Sequence, residues 1–165
     1  MSGTSLIQID LASPEDTSAF AARFGRLLRS RDVVGLVGPV GAGKSHFARA
    51  LIQAAQFEAG QVPEDVPSPT FTLVQSYLAG EQEIWHCDLY RLTDPSEALE
   101  LGLDAAFETA ICLVEWPDRL GDDWPSDRAL TCQFEPPRPD QPETYRALTI
   151  RGSPDWAERL KDFQP

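Results

Sequence analysis

The sequence predicts an α/β fold of three layers, with a central sheet that mixes parallel and antiparallel strands. Three observations point to it. The apolar run Val33-Val34-Gly35-Leu36-Val37 leads into a glycine-rich loop and then a segment of helical periodicity. A second apolar run, Ile111-Cys112-Leu113-Val114, ends in Glu115. Two runs rich in strand formers flank Ala79-Gly80-Glu81-Gln82 and read as a hairpin, which adds antiparallel strands.

Residues 6–11 alternate as a strand does. Ser13-Pro14-Glu15-Asp16 is a helix start, with a capping serine, proline at the first helical position and acids in the first turn. The helix is expected to run to about Arg29, with Phe20, Phe24, Leu27 and Leu28 as its buried stripe. After the strand at 33–37 and the loop, 46–56 is expected to be helical with Phe47, Ala50, Leu51 and Ala54 on one face. Residues 60–69 hold three prolines and form a loop. The hairpin strands are expected at 70–78 and 83–89. Short helices are expected at 95–101 and 104–109, and a strand at 111–115. Two late strands, 129–135 and 145–151, flank a proline-rich loop, and 155–163 is a terminal helix.

The chain has 165 residues, which suits one domain with a single substantial core. With 14 basic and 26 acidic side chains its net charge is −12, so the surface as a whole repels nucleic acid and anionic membrane. Direct DNA or membrane binding is not expected. The cysteines Cys87, Cys112 and Cys132 are odd in number and lack metal-ligand spacing, as reduced core thiols of a cytoplasmic protein do. No apolar run approaches the ~18 residues of a membrane span, and the first residues lack the pattern of a secretion signal.

The loop reads Gly38-Pro39-Val40-Gly41-Ala42-Gly43-Lys44-Ser45, a match to the phosphate-binding pattern of glycine, any four residues, then Gly-Lys-Ser/Thr. Glycines let the backbone come close to a ligand, and successive N–H groups at a helix start form an anion nest. Lys44 would reach terminal phosphates, and the Ser45 hydroxyl would ligate magnesium. The only other lysine is Lys161.

Such a loop needs an acid at the end of a neighbouring strand. Both Glu115 and Asp88 qualify. The segment Ser68-Pro69-Thr70-Phe71-Thr72 follows a proline-rich loop. Its threonine reads either as a switch that senses the terminal phosphate or as part of a rigid junction set by Pro69. His86 and Asp88 share a strand face, so His86 reads either as a partner of that carboxylate or as a structural hydrogen-bonding group. Arg91 is expected to contact a phosphate or to pair with Glu97 or Glu100. Trp116 reads as a plug at a strand end or as a cover over the nucleotide. Lys161 does not stand in the Asn/Thr-Lys-x-Asp segment that reads guanine, which favours ATP over GTP.

The blocks GPVGAGKS, SPTFTLVQSY, HCDLYRL and LVEWPDRL, in that order over residues 38–120, resemble the TsaE family of bacterial tRNA threonylcarbamoyladenosine biosynthesis. The resemblance implies a P-loop NTPase-like fold and an ATPase that uses ATP and Mg²⁺. Its cofactor-binding set would be Gly38, Gly41, Ala42, Gly43, Lys44, Ser45, His46 and Trp116. Ser45, Asp88 and Glu115 would hold the metal. Lys44, Glu115, Asp88 and Thr70 would carry the chemistry. The chain departs from the family's habit at Pro39, Ser45 and His46, none of which removes a required group. The implied partners are the TsaD and TsaB subunits, which the ATPase would reset between rounds, with tRNA contacted only through them. A small-molecule kinase and a non-catalytic nucleotide-dependent binding module are the other readings of the same loop.

Overall fold

The computed structural model describes residues 3–165. Its elements, in chain order, are β1 (Thr4–Leu11), α1 (Pro14–Gly25), β2 (Val33–Val37), α2 (Lys44–Glu58), β3 (Val74–Ala79) and β4 (Gln82–Asp88). There follow α3 (Pro95–Glu100), α4 (Leu103–Thr109), β5 (Ile111–Glu115), a 3-10 stretch at Pro117–Asp123, β6 (Leu130–Phe134), β7 (Arg146–Gly152) and α5 (Pro154–Leu160).

The seven strands form one sheet in the order β1-β7-β6-β2-β5-β4-β3. Its centre, β6-β2-β5-β4, is parallel, while β7 and β3 run the other way against their neighbours. Strands buried on both faces read as continuous apolar runs, and β2 and β5 do so. One face packs on α1, α2 and α5 through Phe20, Phe24, Phe47, Leu113, Phe134 and Trp156. The other packs on α3, α4 and the 3-10 stretch through Val33, Cys87, Phe107, Val114 and Trp124. The three layers and the mixed sheet are those the sequence predicts.

Caps behave as the sequence suggests. The Ser13 hydroxyl accepts from the Asp16 N–H at 3.1 Å, and α1 begins at Pro14. This helix stops at Gly25 rather than near Arg29, because Leu27 and Leu28 turn back with N–H bonds to Phe24 and Gly25. In α2, Phe47 and Leu51 are buried as expected, but Ala48 and Ile52 complete the stripe, and Ala50 and Ala54 lie half-exposed. The second hairpin strand is in place, whereas the first begins at Val74 and not at Thr70. Pro69 accepts the Leu73 N–H at 2.7 Å, and Leu73 sits at φ 68°, so residues 70–73 form a turn. Among the described residues no helix is long and apolar enough to cross a membrane.

Candidate functional site

Parallel strands β2, β5 and β4 end side by side, and their ends carry the polar groups. Leu36 of β2 is the register partner of Glu115, and Glu115 that of Asp88. Ligands of open α/β sheets bind at this carboxyl edge. Antiparallel β7 begins at the same edge, and α1 starts there after β1 ends.

The glycine loop joins β2 to α2. Gly38 has φ 153°, and a Cβ there would lie 2.8 Å from the Phe134 carbonyl oxygen. Gly43 has φ 105° and immediately precedes Lys44, the first residue of α2. Only glycine holds both conformations without strain. Ala42 has a buried side chain, and its N–H bonds the Pro39 carbonyl at 3.1 Å. The first-turn N–H groups of α2 have no side-chain cap, so the start of a 15-residue helix faces the cleft.

Lys44 is buried to 4 % exposure. Its Nζ donates to the carbonyls of Gly38 at 2.6 Å and Pro39 at 2.8 Å, and lies 4.5 Å from the centroid of the Trp116 ring. Burial lowers its pKa from the ordinary lysine value, and the negative charges of Glu115 and then Asp88 oppose that shift.

The next hydroxyl, Ser45 Oγ, lies 3.1 Å from Oε1 and 2.8 Å from Oε2 of Glu115 and donates to that carboxylate. Glu115 is 2 % exposed, and its Oε2 also meets Nε2 of the wholly buried His86 at 2.7 Å. His86 Nδ1 has no partner among the described residues, so a proton on Nε2 suits both ring nitrogens better than one on Nδ1. Of the two readings of His86, pairing with Asp88 does not occur, and the ring is a buried hydrogen-bonding group whose partner is Glu115. The two share a face, but His86 reaches diagonally across to the neighbouring parallel strand. Asp88 instead accepts from Thr70 Oγ1 at 3.0 Å and from the Tyr90 N–H at 3.0 Å, while Thr70 also meets Ser68 Oγ at 2.8 Å.

Trp116 adopts φ 57°, and its ring lies 5.0 Å from that of Tyr90. Lys44, Ser45, Thr70, Asp88, Glu115 and Trp116 line one cleft of about 720 Å³. Gly41, Gly43 and His46 line it too, but Nε2 of His46 turns to α1, 3.0 Å from Ser18 Oγ and 3.1 Å from the Pro14 carbonyl. Arg91 reaches neither the loop nor Glu97 or Glu100; its guanidinium lies 4.7 Å over the exposed Phe71 ring. The Glu97 carboxylate is occupied with Thr93 and Asp94 in the capping box of α3.

Arg146 is the group that sequence reasoning missed. From the start of β7 it donates to the Gly41 carbonyl at 3.3 Å and lines the same cleft. It stands some hundred positions after the loop, and only the antiparallel course of β7 brings it there.

A mixed α/β sheet covered by helices on both faces, with a Gly-Lys-Ser helix start beside two strand-end carboxylates, defines a protein of P-loop NTPase-like architecture. The model of the family described as "Threonylcarbamoyl adenosine biosynthesis protein TsaE" matches residues 11–143, and the chain belongs to that family. It is 40% identical over 111 residues to the tRNA threonylcarbamoyladenosine biosynthesis protein TsaE of Rickettsia bellii, covering 67% of this chain and 74% of the relative. Identity to the protein of the same name from Aquifex aeolicus is 36% over 129 residues, covering 78% and 88%. The crystal structure of YdiB from Bacillus subtilis superposes with TM-score 0.75 at 25% identity, over 98% of this chain and 95% of that one.

Proposed function

We propose that this chain binds ATP with Mg²⁺, hydrolyses it, and uses the hydrolysis to reset a TsaD–TsaB complex between rounds of tRNA modification in the cytoplasm. Membership of the TsaE family places the chain in tRNA threonylcarbamoyladenosine biosynthesis. The observation that carries the ATPase reading is the Ser45 hydroxyl, next to Lys44 and hydrogen-bonded to the strand-end carboxylate Glu115.

The donor set fits magnesium. Ser45, Glu115 and Asp88 offer hard oxygen ligands, and no cluster of three or more His, Cys, Asp and Glu side chains suited to a metal occurs among the described residues. Magnesium is typically held by one or two carboxylates together with substrate phosphates and waters rather than by an all-protein cage. When bound with ATP, the ion would neutralise charge on the terminal phosphates. Lys44 exchanges two loop carbonyls for phosphate oxygens, and the backbone N–H groups at the start of α2 add further donors. Glu115, anchored by His86 and Ser45, orients the attacking water. Asp88 holds Thr70, so the turn at 70–73 is tied to the metal side of the cleft through one hydrogen bond.

Phosphate release from ATP by the purified chain, alone and with the TsaD–TsaB pair, tests this reading. Slow release alone and faster release with the pair is expected, together with nucleotide-sensitive association in a pull-down. Phosphate transferred to a metabolite instead of water, or association indifferent to nucleotide, overturns it.

A further inference from the structure

We infer that Arg146 is a second cationic ligand for the phosphate chain, placed across the glycine loop from the two carboxylates. The inference rests on the nucleotide-binding reading above and adds a residue to it. Arg146 also lies beyond residues 11–143, where the family model matches, so membership of the family does not assign it a role.

Its surroundings carry the inference. Arg146 is half-buried, and its guanidinium uses Nη1 on the carbonyls of Glu143 at 2.6 Å and Tyr145 at 2.8 Å, and Nη2 on the Gly41 carbonyl at 3.3 Å. All three acceptors are neutral, and no carboxylate lies within ion-pair distance of Arg146 among the described residues. Arg128 and Arg159, also partly buried, each have a carboxylate partner. A guanidinium has five N–H donors, and three hydrogen bonds leave two of them, including Nε–H, without a protein acceptor. An unpaired charge with free donors at a cleft is ready to take an anion by charge-assisted hydrogen bonds.

The position selects the anion. A Cβ added at Gly43 would stand 3.4 Å from Arg146 Nε, so the guanidinium lies against the loop backbone just before Lys44. Among the described residues, Lys44 and Arg146 are the only lysine or arginine side chains lining the cleft; of its acids, Asp88 and Glu115 sit on the strands beyond α2, and Glu143 lines it near Arg146 without coming within ion-pair distance. A ligand cradled by the loop meets Lys44 on one side and Arg146 on the other. Charge-assisted contact to phosphate oxygens suits a planar fork better than contact to a neutral base.

Calorimetric titration of ATP and of inorganic tripolyphosphate, each with Mg²⁺, into the wild-type chain, Arg146→Ala and Arg146→Lys separates the outcomes. Arg146→Ala is expected to weaken both ligands at least tenfold, while Arg146→Lys, which keeps the charge but loses the fork, falls between. Thermal melts without ligand check that the variants fold. If the wild-type chain binds ATP and folded Arg146→Ala binds both ligands equally well, this inference fails and the nucleotide site stands. A loss for ATP but not tripolyphosphate places Arg146 at the nucleoside and overturns the phosphate assignment. If the wild-type chain binds neither ligand, the nucleotide-binding reading fails and this inference with it.

Discussion

His86 is wholly buried, yet one of its two ring nitrogens has no partner among the described residues. Such a group persists when its other nitrogen does something an apolar residue could not. Here that is to hold Oε2 of Glu115 while Ser45 reaches the same carboxylate. Replacing His86 by Leu should cost about 1.5–3 kcal/mol of stability, the range for a hydrogen bond to a charged group. It should also lower turnover with little change in ATP affinity. His86→Gln, whose amide reaches about as far as Nε2, should restore most of the turnover. Unchanged turnover in His86→Leu, read as kcat and KM from phosphate release, would mean that His86 merely fills space. Glu115→Gln should keep ATP binding and lose hydrolysis; unchanged hydrolysis would move the role to Asp88. Lys44→Ala removes the ammonium that the loop carbonyls hold and should abolish ATP binding by calorimetry. The glycine loop and both acids were legible in the sequence because local spacing carries them. The partner of His86 was not, since alternation gives the face of a strand and not the diagonal neighbour across a parallel pair.

At the scale of elements, β2 fixes where the loop emerges, and Gly35 fixes how closely β2 meets its cover. A Cβ at Gly35 would lie 2.9 Å from Cζ2 of Trp124 and 3.1 Å from Cγ of Pro117. Both belong to the layer that follows Glu115 and Trp116. Gly35→Ala should therefore push the 3-10 stretch outward and cost about 1–3 kcal/mol by overpacking. In a chain of this size that lowers Tm by roughly 2–4 °C per kcal/mol. A melt unchanged within a degree would show that Trp124 moves aside freely. Element type was readable where apolar period was long, as in α1, α2, β2 and β5. Boundaries failed where a tertiary hydrogen bond overrides propensity. Residues 70–73 have strand composition, yet Pro69 and Asp88 draw them into a turn at the cleft. The residue that reads as an early strand position, Thr70, is thereby freed to face the site.

Across the whole molecule, the three cysteines sample both core layers, Cys132 on the α1–α2 face and Cys87 and Cys112 on the other. All three thiols are free and buried. Desolvation raises each pKa, that of Cys112 to about 12. The thiolate, which is the reactive form, is therefore scarce in the folded chain at pH 8. Because the folded values lie above the unfolded one, the folded chain keeps protons that the unfolded chain releases. The thiols' contribution to stability is complete below about pH 9 and declines as pH rises from there toward about 12. At pH 8, alkylation should thus modify all three together, at the rate set by global opening. Fast modification of one thiol alone would reveal local opening of its layer. The same assay reports on the site at the sheet's carboxyl edge. A ligand at a hundred times its Kd stabilises the native state by about 2.7 kcal/mol, so Mg·ATP at that excess should slow alkylation about a hundredfold when reclosing outpaces the reagent. The slowing should vanish in Lys44→Ala, where the loop keeps its glycines but loses its ammonium. Protection that survives in that variant would place ATP elsewhere on the molecule.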